Sequence, residues 1–359
     1  MSPRRAQQGL SLIELMISVA IGLGLLAALA TVFVNSSRSQ AELARAAQQI
    51  ENGRFATQTL QDDLWHAGFY GRHLAYATTA PAALPDPCST NLDPSVATPT
   101  PLQSSLVFGV QGYNDAATVP TALAGCLSAD DLLPGTDILV VRRAESRVAS
   151  AAALSANTIY MQAVAETYDP VALQVLKPIL AKGNPSSAFN QASPTTAEPG
   201  EIRRFRVHIY FVSKCSVPAG GAATCNAGAD AGNPIPTLKR LELGPAGTFQ
   251  VVPLVEGIEN VQVEYGVDTV PAGLPAGSPY VGDGMPETYK AAPTAAEFSQ
   301  VVAVRLFVLA RATEPSVSYV DAKTYNLGLH GSVAGSGPYK RQVFTTVVRL
   351  NNLAGWREK

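Results

Sequence analysis

From Leu10 to Val34 the chain runs through twenty-five residues, LSLIELMISVAIGLGLLAALATVFV, with a single charged side chain, Glu14. As an α-helix this run is roughly 37 Å long at about 1.5 Å per residue, enough to cross the hydrocarbon core of a bilayer. Arg4 and Arg5 are the only charges before it. They predict that this end stays in the cytoplasm and that the bulk of the chain faces the opposite compartment. Two plainer readings compete: a secretory signal peptide, for which Ala27, Ala28 and Ala30 imitate a cleavage site, and a simple anchor. Neither accounts for Glu14. A carboxylate in an apolar membrane helix costs about 3 kcal/mol on insertion scales, and such a residue ordinarily has a partner or a function.

The string Gly9-Leu10-Ser11-Leu12-Ile13-Glu14-Leu15 resembles the cleavage and methylation motif of type IV prepilins. The resemblance implies that a membrane-embedded prepilin peptidase cuts between Gly9 and Leu10. Leu10 then becomes the first residue and is N-methylated, and the apolar helix stays on the mature chain. Leu10 departs from the phenylalanine usual at that position, where the family also tolerates other apolar residues. Under this reading Glu14 becomes the fifth residue and gains a physical role. The new α-amino group lies in apolar surroundings and needs a counter-charge, which a carboxylate of the same or a neighbouring subunit supplies. That pairing would set the axial register between helices. Loss of the leader lowers the basic side chains from 26 to 24 against 28 acidic ones.

Beyond the membrane-length run, Leu43, Ala46, Ile50, Gly53, Ala56, Leu60, Leu64 and Ala67 recur at steps of three and four, an amphipathic stripe. Arg45, Gln48, Glu51, Arg54, Gln61 and Asp62 occupy the opposite, solvated side. A stem helix is therefore expected from about Leu10 to His66, stopped by Gly68 and Gly71. Gly22 and Gly24 weaken it by about 1 kcal/mol each; they suit close packing, local melting or plain tolerance in lipid. Past the stem, β-like runs alternate with turn residues: Ser105–Val110, Asp137–Arg142, Thr158–Ala163, Arg203–Ser213, Thr237–Leu243, Val261–Tyr265, Val301–Ala310 and Arg341–Leu350. Within Arg203–Ser213, apolar residues alternate with Arg204, Arg206, His208 and Tyr210, which predicts a half-buried strand. The Pro/Gly/Ala stretches Ala80–Pro101, Lys182–Pro199, Val217–Pro236 and Pro271–Pro293 read as long loops.

The expected architecture is α+β: a leader over 1–9, a membrane or filament-core helix over 10–34, an amphipathic stem over 35–70, and a β-rich head over 71–359. The head is read as one antiparallel sheet with elaborated loops. Glu51-Asn52-Gly53-Arg54-Phe55, Leu60, Asp63-Leu64 and Ala67-Gly68-Phe69 resemble the stem end of the PilW branch of minor pilins. The block Pro253–Asp268 is similar to that branch's centre, and Val302–Leu306 and Val343–Val348 to its last two strands. The resemblance implies a low-abundance subunit of type IV pilus assembly, in a priming complex and at the tip. Its partners would be other minor pilins, the major pilin, the prepilin peptidase and the inner membrane. Its location would be the inner membrane, single-pass with the head in the periplasm, and then the pilus or fimbrium at the cell surface. A type II secretion pseudopilin shares the N-terminal motif and is the nearest alternative.

Apolar residues make up 47% of the 359 and charged residues 15%, so a large core is affordable. The net charge of −2 argues against a nucleic-acid partner, which calls for a basic excess. Cys88, Cys126, Cys215 and Cys225 form no CxxC pair and have no histidine at metal-ligand spacing. In an exported chain an even count suggests disulfides. Three pairings are open; loop closure favours Cys215 with Cys225 across a loop of small residues, leaving Cys88 with Cys126. His66, His73, His208 and His330 are scattered, and His66 and His73 read as polar surface. There is no nucleophile elbow, phosphate loop or dinucleotide fingerprint. Gly282-Asp283-Gly284 reads as a turn because calcium needs more carboxylates than it offers. Asp62 and Asp63 are adjacent on the helix and so point different ways. The expectation is a protein without catalytic, cofactor or metal residues; a membrane-anchored periplasmic enzyme is the less favoured alternative.

Overall fold

The computed structural model describes residues 11–72, 82–93, 95, 101–165, 168–169, 174–175, 177–269 and 282–358. The leader, Leu10 and His73 lie outside them. Helix α1 spans Leu12–Trp65, close to the expected stem. Its first turn is capped by Ser11, whose hydroxyl accepts from the Glu14 N–H at 3.3 Å. It stops where Gly68 and Gly71 take φ of 70° and 72°, values that glycine adopts without a Cβ clash. The chain divides into two compact units, one ending at Gln48 and the other starting at Gln49. In the first, every large apolar side chain from Leu12 to Val34 is exposed.

The second unit contains fifteen strands in the described residues. In chain order they are β1 Val110–Ala116, β2 Thr136–Val148, β3 Ile159–Ala163, the two-residue β4 Tyr168–Asp169 and β5 Gln174–Val175, β6 Ile179–Lys182 and β7 Glu201–Ser213. Then come β8 Thr237–Leu243, β9 Phe249–Glu256, β10 Ile258–Val267, β11 Thr288–Lys290, β12 Val301–Arg311, β13 Thr324–Asn326, β14 Ser332–Ala334 and β15 Arg341–Arg349. A short helix α2, Ala295–Phe298, precedes β12, and α3, Asn351–Arg357, follows β15. Two antiparallel sheets dominate, where one was expected. The larger has seven strands around β7, which pairs with β2 along one edge and with β3 and β8 along the other. The smaller runs β11-β10-β12-β15.

The main core lies between the sheets and the last turns of α1. It joins Ala56, Leu60 and Leu64 to Leu139, Val141, Tyr210 and Val212 of the larger sheet, and to Val261, Val263, Val304, Leu306 and Val308 of the smaller. The opposite face of the larger sheet is also covered: Ile138, Val140, Val207, Ile209 and Phe211 pack with Leu102, Leu106, Leu123 and Leu132. Strand β7 is therefore buried on both faces from Val207 to Ser213, not half-buried as its alternation predicted. His208 and Tyr210 take the nominally polar face beneath the helix.

Other expectations also shift. Ser105–Val110 is not a strand: Leu102–Val107 is a 3₁₀ helix after Pro101, burying Leu102, Ser105 and Leu106 at helical spacing, and β1 starts at Val110. β9, outside the expected runs, contains Pro253; it pairs only with β8, and an outer strand tolerates a missing donor. On the stem, Leu43 and Ile50 are exposed, while Gln49 is buried. Gln49 is held there because its side-chain amide donates to the Ala310 carbonyl at 3.0 Å. The cysteines pair as Cys88–Cys126 and Cys215–Cys225.

Candidate functional site: an assembly helix and a clasp on the head

Glu14 sits in the first turn of α1, exposed among exposed apolar neighbours. A negative side chain suits this end of a helix, where unpaired N–H groups leave partial positive charge. Its carboxylate makes no hydrogen bond or ion pair among the described residues. Leu10 and Gly9 lie outside them, so the structure brings Glu14 to the helix start without placing the other two residues.

Within the head, the final turns of α1 are fastened at three levels. Near the top of this segment Gln49 bonds Ala310, and the Asn52 side-chain amide donates to the Glu256 carbonyl at 3.1 Å. One turn on, Gly53 meets the ring of Phe344 on β15 so closely that a Cβ would lie 2.1 Å from a ring carbon. Near the last turn, Asp63 is buried at 6% exposure, while Asp62 faces solvent. The split follows from the roughly 100° between neighbouring helical residues.

Asp63 accepts from the Arg143 Nε at 2.6 Å through Oδ1, and from His208 Nδ1 at 2.7 Å and the Tyr210 hydroxyl at 2.9 Å through Oδ2. An ionised carboxylate has no hydrogen to give, so His208 carries its proton on Nδ1. The three partners converge because β2 and β7 pair with Val141 opposite His208 and Leu139 opposite Tyr210, so Arg143 lies one pleat along on the same face. Across the other edge of β7, Glu242 lies opposite His208 and Arg240 opposite Tyr210. Arg240 donates to Glu242 at 2.8 Å. Burial opposes ionisation of Asp63, but the charges and hydrogen bonds of His208 and Arg143 outweigh it. Together they hold the carboxyl well below the usual carboxylate range. Burial, and next the charge of Asp63, push the Tyr210 hydroxyl well above its ordinary value. The set has acceptors and donors matched to one another and positions no nucleophile: it is a fastening.

Two family models match the chain. The prokaryotic N-terminal methylation motif covers residues 4–30. The model described as type IV pilus-assembly protein W covers residues 210–352, from the middle of β7 into α3. The chain matches a PilW-like pilin with a prepilin motif. No curated protein and no solved structure matches it significantly. The matched head span includes the Pro253–Asp268 block and the last two long strands. The stem-end string Glu51–Phe69 lies outside it, as do Asp63 and Arg143. The protein is thus a minor pilin-like subunit of type IV pilus assembly, and its motif and apolar helix fit a membrane-anchored pilin. The clasp was not legible in the chain: Arg143 carried no signal, and the alternation of β7 put His208 and Tyr210 on a solvated face.

Proposed function

We propose that this subunit enters the inner membrane as a precursor with leader 1–9, core helix 10–34, stem 35–70 and a periplasmic head 71–359. Prepilin peptidase cuts between Gly9 and Leu10, and Leu10 is N-methylated. The exposed apolar face of Leu12–Val34 then exchanges lipid for the helices of neighbouring subunits. Glu14 neutralises the new α-amino group of an adjacent subunit and sets the axial register as the bundle grows. The head joins other minor pilins in a priming complex for the major pilin and acts by contact, not catalysis. The observation that carries the reading is the conjunction of a methylation motif over 4–30, an exposed apolar helix with one carboxylate, and a PilW-type head on the same chain.

The test is intact-mass and N-terminal peptide analysis of the protein from a membrane fraction of its host. A mature chain beginning at N-methylated Leu10 is expected. A chain starting near residue 30, or retaining Met1, would replace the pilin route with ordinary secretion or a plain anchor.

A further inference from the structure

The chain leaves β10 at Asp268-Thr269 and returns at Gly282-Asp283-Gly284 before β11. Carboxylate oxygens of Asp268, Asp283 and Glu287 come within 4.8 Å of one another there. Asp268 is wholly buried, whereas Asp283 and Glu287 are exposed. Asp268 is already tied down on one side: its Oδ2 accepts from the Arg357 Nε at 2.9 Å and the Gly284 N–H at 2.8 Å. Among the described residues its Oδ1 has no hydrogen-bond partner. That carboxylate lies hard against residue 282, where a Cβ would fall 2.4 Å from Oδ1.

We propose that Asp268, Asp283 and Glu287 form a calcium site between the end of β10 and the start of β11. Three observations carry it. A buried carboxylate oxygen without a donor is costly, and a cation at this corner satisfies Oδ1 while leaving the Arg357 contact on Oδ2 intact. The three carboxylates crowd one another, so a divalent ion removes repulsion that the Arg357 contact to Asp268 does not. The other two ligands are held ready: Glu287 Oε2 accepts from the Thr269 N–H at 2.6 Å and the Thr269 hydroxyl at 3.1 Å, and Asp283 Oδ1 accepts from the Met285 N–H at 2.9 Å.

The donor set is all oxygen, which selects a hard cation over zinc or copper. The two exposed ligands leave room for water and for irregular geometry. Calcium accepts both at about 2.3–2.6 Å, whereas magnesium demands a near-octahedral shell at about 2.0–2.1 Å. The ion would couple the end of β10 to the start of β11. Through Asp268 and Arg357 it would also couple both to α3.

The test uses the detergent-solubilised full chain, stripped with EDTA and freed of chelator, with calcium chloride as probe. Calorimetry is expected to show one ion per chain with a Kd of about 10⁻⁴–10⁻³ M, the range of extracellular modules. Thermal melting in 5 mM calcium chloride is expected to rise by roughly 2–4 °C. The double variant Asp283→Asn, Glu287→Gln changes only exposed side chains and leaves the Arg357 pair untouched. It should melt without calcium at or above the wild-type temperature and lose the calcium response. No response in the wild type, an undiminished response in the double variant, or an equal response to magnesium chloride each overturns the proposal.

Discussion

Asp63 is surrounded by three donors, and that makes it both a fastening and a pH sensor. Removing the carboxylate strands Arg143 and His208 beneath the helix, and breaking a buried pair on one side costs about 3 kcal/mol or more. Asp63→Ala is therefore expected to lower head stability by about that amount in chemical denaturation, whereas Asp62→Ala, on the solvated side, changes it by less than about 0.5 kcal/mol. The sign of the pH effect follows from the direction of the shift. With the folded-state carboxyl held below its ordinary value of 3.8, the stabilisation is present above about pH 4. It is lost as pH falls further and the carboxylate is protonated. Acid titration of Asp63→Asn should show a shallower loss of stability below pH 4 than the wild type; identical curves would mean that Asp63 does not carry the acid response.

At the scale of elements, α1 is one helix with two kinds of surface. From Leu12 to Val34 Glu14 is the one charged side chain, and all the large apolar side chains are exposed. From Gln49 the buried positions Gln49, Gly53, Ala56, Leu60, Asp63 and Leu64 follow steps of four and three, a narrow seam with small residues at its centre. Gly53 lets the backbone approach β15, since any Cβ there meets the Phe344 ring. Gly53→Val is expected to destabilise the head by about 1–3 kcal/mol through overpacking. Combining it with Phe344→Ala should restore part of that loss, read as a non-additive double-mutant cycle. Simple additivity would place the cost in the helix backbone rather than in this contact.

At the scale of the whole head, the two sheets are stitched by side chains from the start of β2. Asp137, buried at 3% exposure, accepts from the Asp115 N–H of β1 at 2.6 Å and from the Val263 N–H of β10 at 2.7 Å. Gln262 and Asn260 donate to the Gly135 carbonyl at 3.2 Å and 3.3 Å beside it. Burial is the main influence on this carboxyl and pushes it up to about 7 despite the two backbone donors. Its contribution runs opposite to that of Asp63. The folded state keeps its proton where the unfolded chain has lost it, so stability is fully present below about pH 4 and declines as pH rises towards 7. Asp137→Asn should flatten stability between pH 5 and 7 in denaturant titrations; an unchanged slope would assign that decline to other groups.

Much of this protein was written in local pattern. The apolar run with Glu14, the glycine stop of the stem and the β-like runs of β8 and β12 were legible because each depends on neighbours in the chain. The helix period, left-handed turns and strand alternation are properties of a few consecutive residues. The span of α1 and most long strands followed, within a few residues. What only the tertiary structure decided was the partnership of distant residues: that there are two sheets, that β7 is covered on both faces, that Gln49 rather than Ile50 is buried, and that Asp63 meets Arg143, His208 and Tyr210. The same holds for Asp268 and Glu287, which turn a lone Asp283 into a group of three. The physical reason is common to all of them. Burying a charge or an amide is favourable only when a matching group arrives from elsewhere. That arrival is set by sheet register and helix docking, which no local window contains.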